Sequence, residues 1–250
     1  MALPKVIYQD LGRIRYQTAW DYQFELLKKV IDAKREIKEQ DPSVNEPIFK
    51  EKLIENQTNY LLFCEHHPVY TLGKSGSLDN LLLNETQLAE QDIEFFKINR
   101  GGDITYHGDG QITGYPIFDL DCFFTDVHKY VRSLEEVMIR TIAEYGLEGT
   151  RINEFTGVWL EDSGTQKRKI CAIGVHLSRW VTMHGFALNV NTPLSYFNNI
   201  IPCGIDDADK TVTSIAAELG REIDINEVKD HAKRHFSAIF GFGLDRKSVV

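Results

Sequence analysis

Residues 95–121 read FFKINRGGDITYHGDGQITGYPIFDLD. Phe95 to Asn99 has the aromatic and branched content of a short strand, and it runs directly into Arg100-Gly101-Gly102-Asp103-Ile104-Thr105-Tyr106-His107-Gly108-Asp109-Gly110-Gln111. Four glycines among these twelve residues predict a loop, because glycine tolerates unusual φ angles and lets the backbone lie close to a ligand. A plain long turn would account for the glycines, but it leaves Arg100, Thr105, His107 and Gln111 gathered in one loop without a reason. The loop follows neither the GxxxxGK(S/T) nor the GxGxxG pattern, so it offers no cradle for nucleotide phosphates. Ile117 to Asp121 carries the apolar pattern on beyond it.

Working outward, Trp20 to Glu39 has Phe24, Leu27, Val30 and Ile31 at helical spacing between charges, and Asp41-Pro42 stops it. Asn59 to Gly73 is rich in branched, aromatic and leucine residues and reads as one or two strands and a turn. Downstream, Val127, Tyr130, Val131, Leu134, Met138, Ile142 and Tyr145 recur every three or four residues until Gly146, which predicts a helix. Thr156 to Leu160, Lys169 to Val175 and Met183 to Val190 read as strands. Helices return at Ser214 to Leu219, with Gly220 as the stop, and at Asn226 to Phe240, where Asp224 and Glu227 have the spacing of a capping box. This order predicts an α+β fold rather than a doubly wound one. No repeat, low-complexity tract or Pro/Ser-rich linker divides the chain, so residues 1–250 are expected to form one catalytic domain with its core at about 20–240.

With 250 residues, 42% hydrophobic and 26% charged, the chain has the make-up of a folded globular protein. A net charge of −9 argues against nucleic acid as a partner. No apolar run approaches the roughly 20 residues of a membrane span, and the N-terminal residues lack the apolar region of a secretory signal, so no membrane association and a cytoplasmic location are expected.

The four cysteines show no CxxC spacing. Cys64 and Cys171 sit in strand-like apolar runs and Cys122 beside Phe123 and Phe124, as core residues do. Cys64 and His66 would share one strand face with His67 on the other, and no second ligand pair accompanies them, so no metal is expected. Cys203, in Asn198-Asn199-Ile200-Ile201-Pro202-Cys203-Gly204-Ile205, differs. Pro202 and Gly204 place it on a turn, where a thiol can be presented rigidly, although a packed turn cysteine is the alternative. A thiol needs a nearby cation or base to ionise near neutral pH. Lys169, which opens a strand, is one candidate, against an ordinary solvated lysine in Lys167-Arg168-Lys169. His107 is the other.

The stretch RGGDITYHGDGQITGYPIFDL, Arg100 to Leu120, resembles the signature of the lipoyl(octanoyl) transferase family, which attaches octanoyl groups to lipoyl domains. Its Arg-Gly-Gly, Thr-aromatic-His, Gly-Gln and Tyr-Pro elements stand in order and spacing. Lys169 to Gly174 matches the family's KIAxIG-like strand, with Cys171 where alanine is common. His184 to Val190 matches HGxALNV, and Cys203 matches a cysteine in a PCG turn. The resemblance spans about residues 20–240. It implies a fold shared with biotin and lipoate protein ligases, a mixed, largely antiparallel sheet flanked by helices. It also implies that octanoyl-acyl carrier protein acylates Cys203 and that a lysine of the acceptor then takes the acyl group. The acceptors would be the lipoyl domains of 2-oxoacid dehydrogenases and the glycine cleavage H protein. Lys169 would lower the pKa of Cys203. Arg100, Gly101, Gly102, Asp103, Ile104, Thr105, Tyr106, His107, Ala172, Ile173, Gly174, Gly185, Phe186 and Ala187 would line the acyl site. No cofactor is required, since the thioester arrives activated.

If both partners are acidic, docking needs a local positive patch, for which Lys167, Arg168, Arg151 and Arg179 are candidates. Three other readings stand beside this one: an ATP-dependent lipoate or biotin ligase, an amidotransferase between lipoyl domains, and a non-catalytic acyl-binding protein.

Overall fold

Continuous apolar runs such as Tyr60-Leu61-Leu62-Phe63-Cys64 belong to strands covered on both faces, and the structure shows what covers them. The computed structural model describes residues 2–161, 166–201 and 210–244. The chain begins with β1 (Lys5–Ile14), α1 (Tyr16–Gln40), α2 (Glu46–Asn56), β2 (Thr58–His66) and β3 (Val69–Leu72). It continues through α3 (Glu85–Glu90), β4 (Glu94–Lys97), β5 (Ile104–His107), β6 (Gln111–Ile117), α4 (Val127–Ala143), β7 (Gly149–Ile152) and β8 (Phe155–Glu161). After β9 (Lys167–Ser178) and β10 (Val181–Asn189) come β11 (Lys210–Val212), α5 (Ile215–Leu219), α6 (Ile225–Phe240) and β12 (Gly243–Leu244).

The main sheet runs β12-β1-β2-β6-β10-β9-β8-β7, with β11 also paired to β9. Pairs β1–β12, β1–β2 and β9–β11 are parallel and the others antiparallel, so the sheet is mixed and largely antiparallel as expected. A second sheet, β4-β3-β5, stands apart from it. On β2, Leu61 and Phe63 enter one core with Val137 and Met138 of α4 and Phe236 of α6, while Tyr60, Leu62 and Cys64 enter another with Leu26, Leu27 and Val30 of α1. Alternation thus feeds two cores from one strand. Each fully buried leucine or phenylalanine contributes about 1.5–3 kcal/mol, so both helix layers are needed to hold the sheet.

Several boundaries move. Helix α1 starts at Tyr16 with no side-chain cap, which removes the usual sequence mark of a helix start, and Phe24 is exposed while Ala19, Gln23 and Leu26 are buried. Helix α2 was not expected; Asn45 caps it by accepting from Ile48 N, but of its side chains Leu53 alone is buried, so it carries little periodic signal. Strand β1 was missed for the same reason, with Val6 its buried residue and a bulge between Asp10 and Arg13. The sheet therefore starts well before residue 20. Within residues 34–52, Lys34 reaches the buried carboxylate of Asp119 (2.9 Å) and ties α1 to the end of β6. Asp224 caps α6 through Asn226 N rather than through the box with Glu227. Among the described residues no helix is long and apolar enough to cross a membrane.

Candidate active site

The glycine-rich segment is not loop throughout. Gly101-Gly102 and Gly108-Gly110 mark turns, and between them Ile104–His107 forms β5, paired antiparallel with β3 from Leu72↔Ile104 to Val69↔His107. Branched and aromatic side chains at 104–106 favour the strand once glycines have supplied turns at both ends.

Facing this small sheet, β9 and β10 present two opposed pairs of small residues, Gly174↔Gly185 and Ala172↔Ala187. Between them Phe186 and Leu188 are buried in the core under α4 and α6, against which Ile173 packs, while Ile173 and Phe186 still border the cavity between the small residues. The loop before β5 stands directly on β9 through Gly101 N to Val175 O (3.0 Å). A Cβ at Gly174 would come within 2.8 Å of Gly101 O, so that approach requires glycine.

Between the two sheets lies a cavity of about 250 Å³. Arg100, Gly102, Asp103, Ile104, Thr105 and His107 line it from the small sheet and its loop. Ala172, Ile173, Gly174, Gly185, Phe186 and Ala187 line it from the large one, and Lys169 and Val212 stand on its wall. Two expected residues lie elsewhere. Gly101 spends its amide on Val175, and Tyr106 turns to the other face of β5, where it stacks on Tyr196 with centroids 4.6 Å apart. Cys203 falls in 202–209, outside the described residues.

Lys169 sits directly opposite Trp159 in the β8–β9 ladder, its Nζ 5.1 Å from the centre of the indole. Gly157, at φ 130°, makes room for it: a Cβ there would lie 3.0 Å from Lys169 Cε and 2.5 Å from Cys171 O. Gly157 is held in turn by the fully buried Glu135 of α4, which accepts from Gly157 N (3.1 Å) and pairs with Arg132 and Arg151. No sequence signal singled out Trp159 or Gly157, because both depend on which strands become neighbours.

A buried polar chain crosses the cavity wall. Arg100 Nη2 donates to the carbonyl (2.7 Å) and hydroxyl (3.0 Å) oxygens of Thr71. The Thr71 hydroxyl meets His107 Nε2 (3.3 Å), and His107 Nδ1 meets Gln111 Oε1 (2.8 Å). With Gln111 Oε1 an acceptor, the proton of His107 resides on Nδ1 and Nε2 accepts from Thr71. His107, a candidate base from sequence, thus has both nitrogens engaged, and burial, with His66 and Arg100 nearby, holds its pKa well below the ordinary value.

Two more imidazoles sit in this region. Burial pushes His66 down to about 4, and its Nε2 receives the Tyr115 hydroxyl at 2.6 Å. Burial first, then Arg100 and His176, takes His184 to about 3; its backbone has φ 60° and its Nε2 donates to Asn99 Oδ1 (2.9 Å). All three are neutral near pH 7. The unfolded chain protonates these groups near pH 6.5, whereas the folded chain resists to about 4 for His66 and about 3 for His184, so stability is full above pH 6.5 and declines below it. By pH 5 each costs about 2 kcal/mol. Urea unfolding at pH 7 and pH 5 measures this; an unchanged midpoint would contradict it.

The positive patch expected for docking is largely spoken for. Arg168 pairs with Glu218 (2.8 Å), and Arg151 with Glu135 (3.1 Å) and Glu136 (2.6 Å).

Sheet order and intersheet cavity define a protein of the lipoate protein ligase fold. A bipartite lipoate protein ligase from Thermoplasma acidophilum superposes with a TM-score of 0.65, covering 100% of this chain and 88% of that one at 14% identity. A lipoate-protein ligase A bound with ATP gives 0.64 at 15% identity, covering 99% and 90%. Residues 41–237 match the lipoyl protein ligase A/B catalytic domain. The octanoyltransferase of Flavobacterium johnsoniae is 56% identical over 94% of this chain and 97% of its own length. That of Cytophaga hutchinsonii is 51% identical over 96% and 94%. The chain belongs to the lipoyl(octanoyl) transferase family and is an acyltransferase.

Proposed function

We propose that the chain moves an octanoyl group from octanoyl-acyl carrier protein to a lysine of lipoyl domains in 2-oxoacid dehydrogenases and of the glycine cleavage H protein, through a thioester on Cys203. The observation that carries this reading is the place of Lys169: on the cavity wall, in the strand beside which β11 docks immediately after residues 202–209. The other three cysteines are poor nucleophiles. Burial raises the Cys64 and Cys171 thiols far above their usual range and takes Cys122 to about 12.

In the first step the Cys203 thiolate attacks the donor's thioester carbonyl, a C–S bond to Cys203 forms, and the carrier's thiol leaves with a proton. In the second, the acceptor's lysine amine attacks, the C–S bond to Cys203 breaks, and an amide forms. Lys169 stabilises the thiolate by charge, gives its proton to the carrier's departing sulfur in the first step, and as the neutral amine takes the proton lost by the acceptor's amine in the second, which restores the thiolate–ammonium pair. The acyl chain lies over the Gly174/Gly185 and Ala172/Ala187 floor. A thiol of this kind works in a reducing compartment, and we place the protein in the cytoplasm.

Incubating the protein with octanoyl-acyl carrier protein without ATP, then digesting it and weighing the peptides, tests the reading. One octanoyl group on the Cys203 peptide is expected. No adduct, or one that forms only with ATP, would favour an acyl-adenylate ligase on the same fold. The floor makes a separate prediction: Ala187→Leu fills the cavity and slows octanoylation by about tenfold or more, while a butyryl donor keeps most of its rate. Equal slowing of both donors would place the chain elsewhere.

A further inference from the structure

Strand β9 changes phase at one point. Cys171, Ile173, Val175 and Leu177 pack on the core under α4 and α6, while Ala172 and Gly174 between them line the cavity. Continued toward the start of the strand, this alternation would put Lys169 on the core side with Cys171, where an ammonium is costly. The β8–β9 ladder prevents that. It pairs Val158 with Cys171 and then Trp159 with Lys169, so Ile170 is an extra residue in β9, a β-bulge. Ile170 and Cys171, adjacent in sequence, are accordingly both buried in the same core. Lys169 thereby joins Ala172 and Gly174 on the cavity wall.

Strand β8 presses on β9 beside this bulge. Gly157, at φ 130°, has no room for a Cβ, which would stand 2.5 Å from the Cys171 carbonyl oxygen and 3.0 Å from Lys169 Cε. Its amide donates to Oε1 of Glu135 on α4 (3.1 Å), a carboxylate with no exposed surface. The other oxygen, Oε2, accepts from Arg132 Nη1 (2.7 Å) and Arg151 Nε (3.1 Å). The two arginines anchor the side chain, and Oε1 fixes one amide of β8 in a buried setting where an unpaired donor is disfavoured. Glu135 reaches the bulge from behind the sheet and does not itself line the cavity.

We propose that Glu135 is a positioning residue for Lys169: through the Gly157 amide it holds β8 against the Ile170 bulge, and the bulge turns the lysine to the cavity instead of the core. The inference rests on Lys169 as the acid–base group of the transfer, and it names what aims that group.

The test follows Lys169 by NMR in the full chain labelled with carbon-13 at lysine Cε, its signal assigned by loss in Lys169→Met. In wild type the indole of Trp159, 5.1 Å from Nζ, is expected to shift this signal upfield of the other lysines. Glu135→Asp keeps the charge for both arginines but falls short of the Gly157 amide. Glu135→Gln keeps the reach and an acceptor but not the charge. The aspartate variant is expected to lose the upfield shift and to lower kcat about tenfold to a hundredfold, as a misplaced reacting group does. The glutamine variant is expected to keep the shift, with kcat within about threefold of wild type. Gly157→Ala presses on the bulge from the other side and should also lose the shift, which carries the test if the aspartate variant does not fold. A signal that stays in place in either variant, or that moves as far in Glu135→Gln as in Glu135→Asp, overturns the inference and leaves the lysine reading standing. Transfer at the wild-type rate in Lys169→Met overturns the lysine reading itself, and the inference falls with it.

Discussion

Cys203→Ser is expected to carry no octanoyl group after incubation with octanoyl-acyl carrier protein and to lose on the order of a thousandfold or more in transfer. A serine hydroxyl does not ionise near neutral pH, so the cation that suffices for a thiol cannot make an alkoxide. An ester on serine would also be a poorer acyl donor to an amine than a thioester. The substitution changes one atom, so the unfolding midpoint should match wild type and separate lost chemistry from lost fold. An adduct of wild-type yield in the serine protein would move the nucleophile elsewhere. Cys64, Cys122 and Cys171 are buried, with thiols raised by desolvation, which leaves little room for that outcome.

The second large effect is expected at Lys169. Lys169→Met keeps the side chain out to Cε and its passage over Gly157, but removes the ammonium that lies over Trp159, and with it the charge and the proton. Transfer should fall by about a hundredfold to a thousandfold, the range for loss of a placed acid–base group. The sign with pH follows. Without the ammonium the Cys203 pKa moves toward the ordinary value near 8.5, so the variant is slowest below pH 7 and regains part of its acylation rate as the pH rises past 9. Aminolysis should recover less, because the acceptor amine still lacks its proton acceptor. Stopped-flow acylation measured across that range reads the difference. A variant as fast as wild type at pH 7 would show that another group activates the thiol.

Much of this site was legible in the sequence because its parts are local. Glycines at 101, 102, 174 and 185 announce close backbone approaches, and Gly174 does meet the Gly101 carbonyl. The strands carrying Lys169 and Ala187 could be read from composition. What escaped is what needs the third dimension. Trp159 is an ordinary core aromatic until β8 and β9 pair and put Lys169 across from it. Gln111 and Asn189 sit in separate motifs until the β6–β10 register brings them opposite each other. Tyr16, on the cavity wall, lies at an uncapped helix start that no pattern marks. Strand β1 and helix α2 bury too few side chains to show a period. Taking Ile104–His107 as loop had a plain cause: turn residues outweigh four strand formers until the partner strand is known.

The intersheet cavity is lined chiefly from β5, β6, β9 and β10 and their loops, with Tyr16 of α1, Phe155 of β8 and Val212 of β11 beside them, a frame braced by Gly101–Val175, Gln111–Asn189 and Arg100–Thr71. On either side of residues 202–209 the chain is moored, Ile201 on Asn80 before them and β11 on β9 after them. With Cys203 as the proposed acyl carrier, mould and reagent would be different parts of the chain. A lineage can exchange the short stretch between those moorings, and with it the means of activating an acyl group, while the cast for the hydrocarbon stays the same. This separation gives a physical route by which one architecture, shared at 14% identity, serves both ligases and transferases.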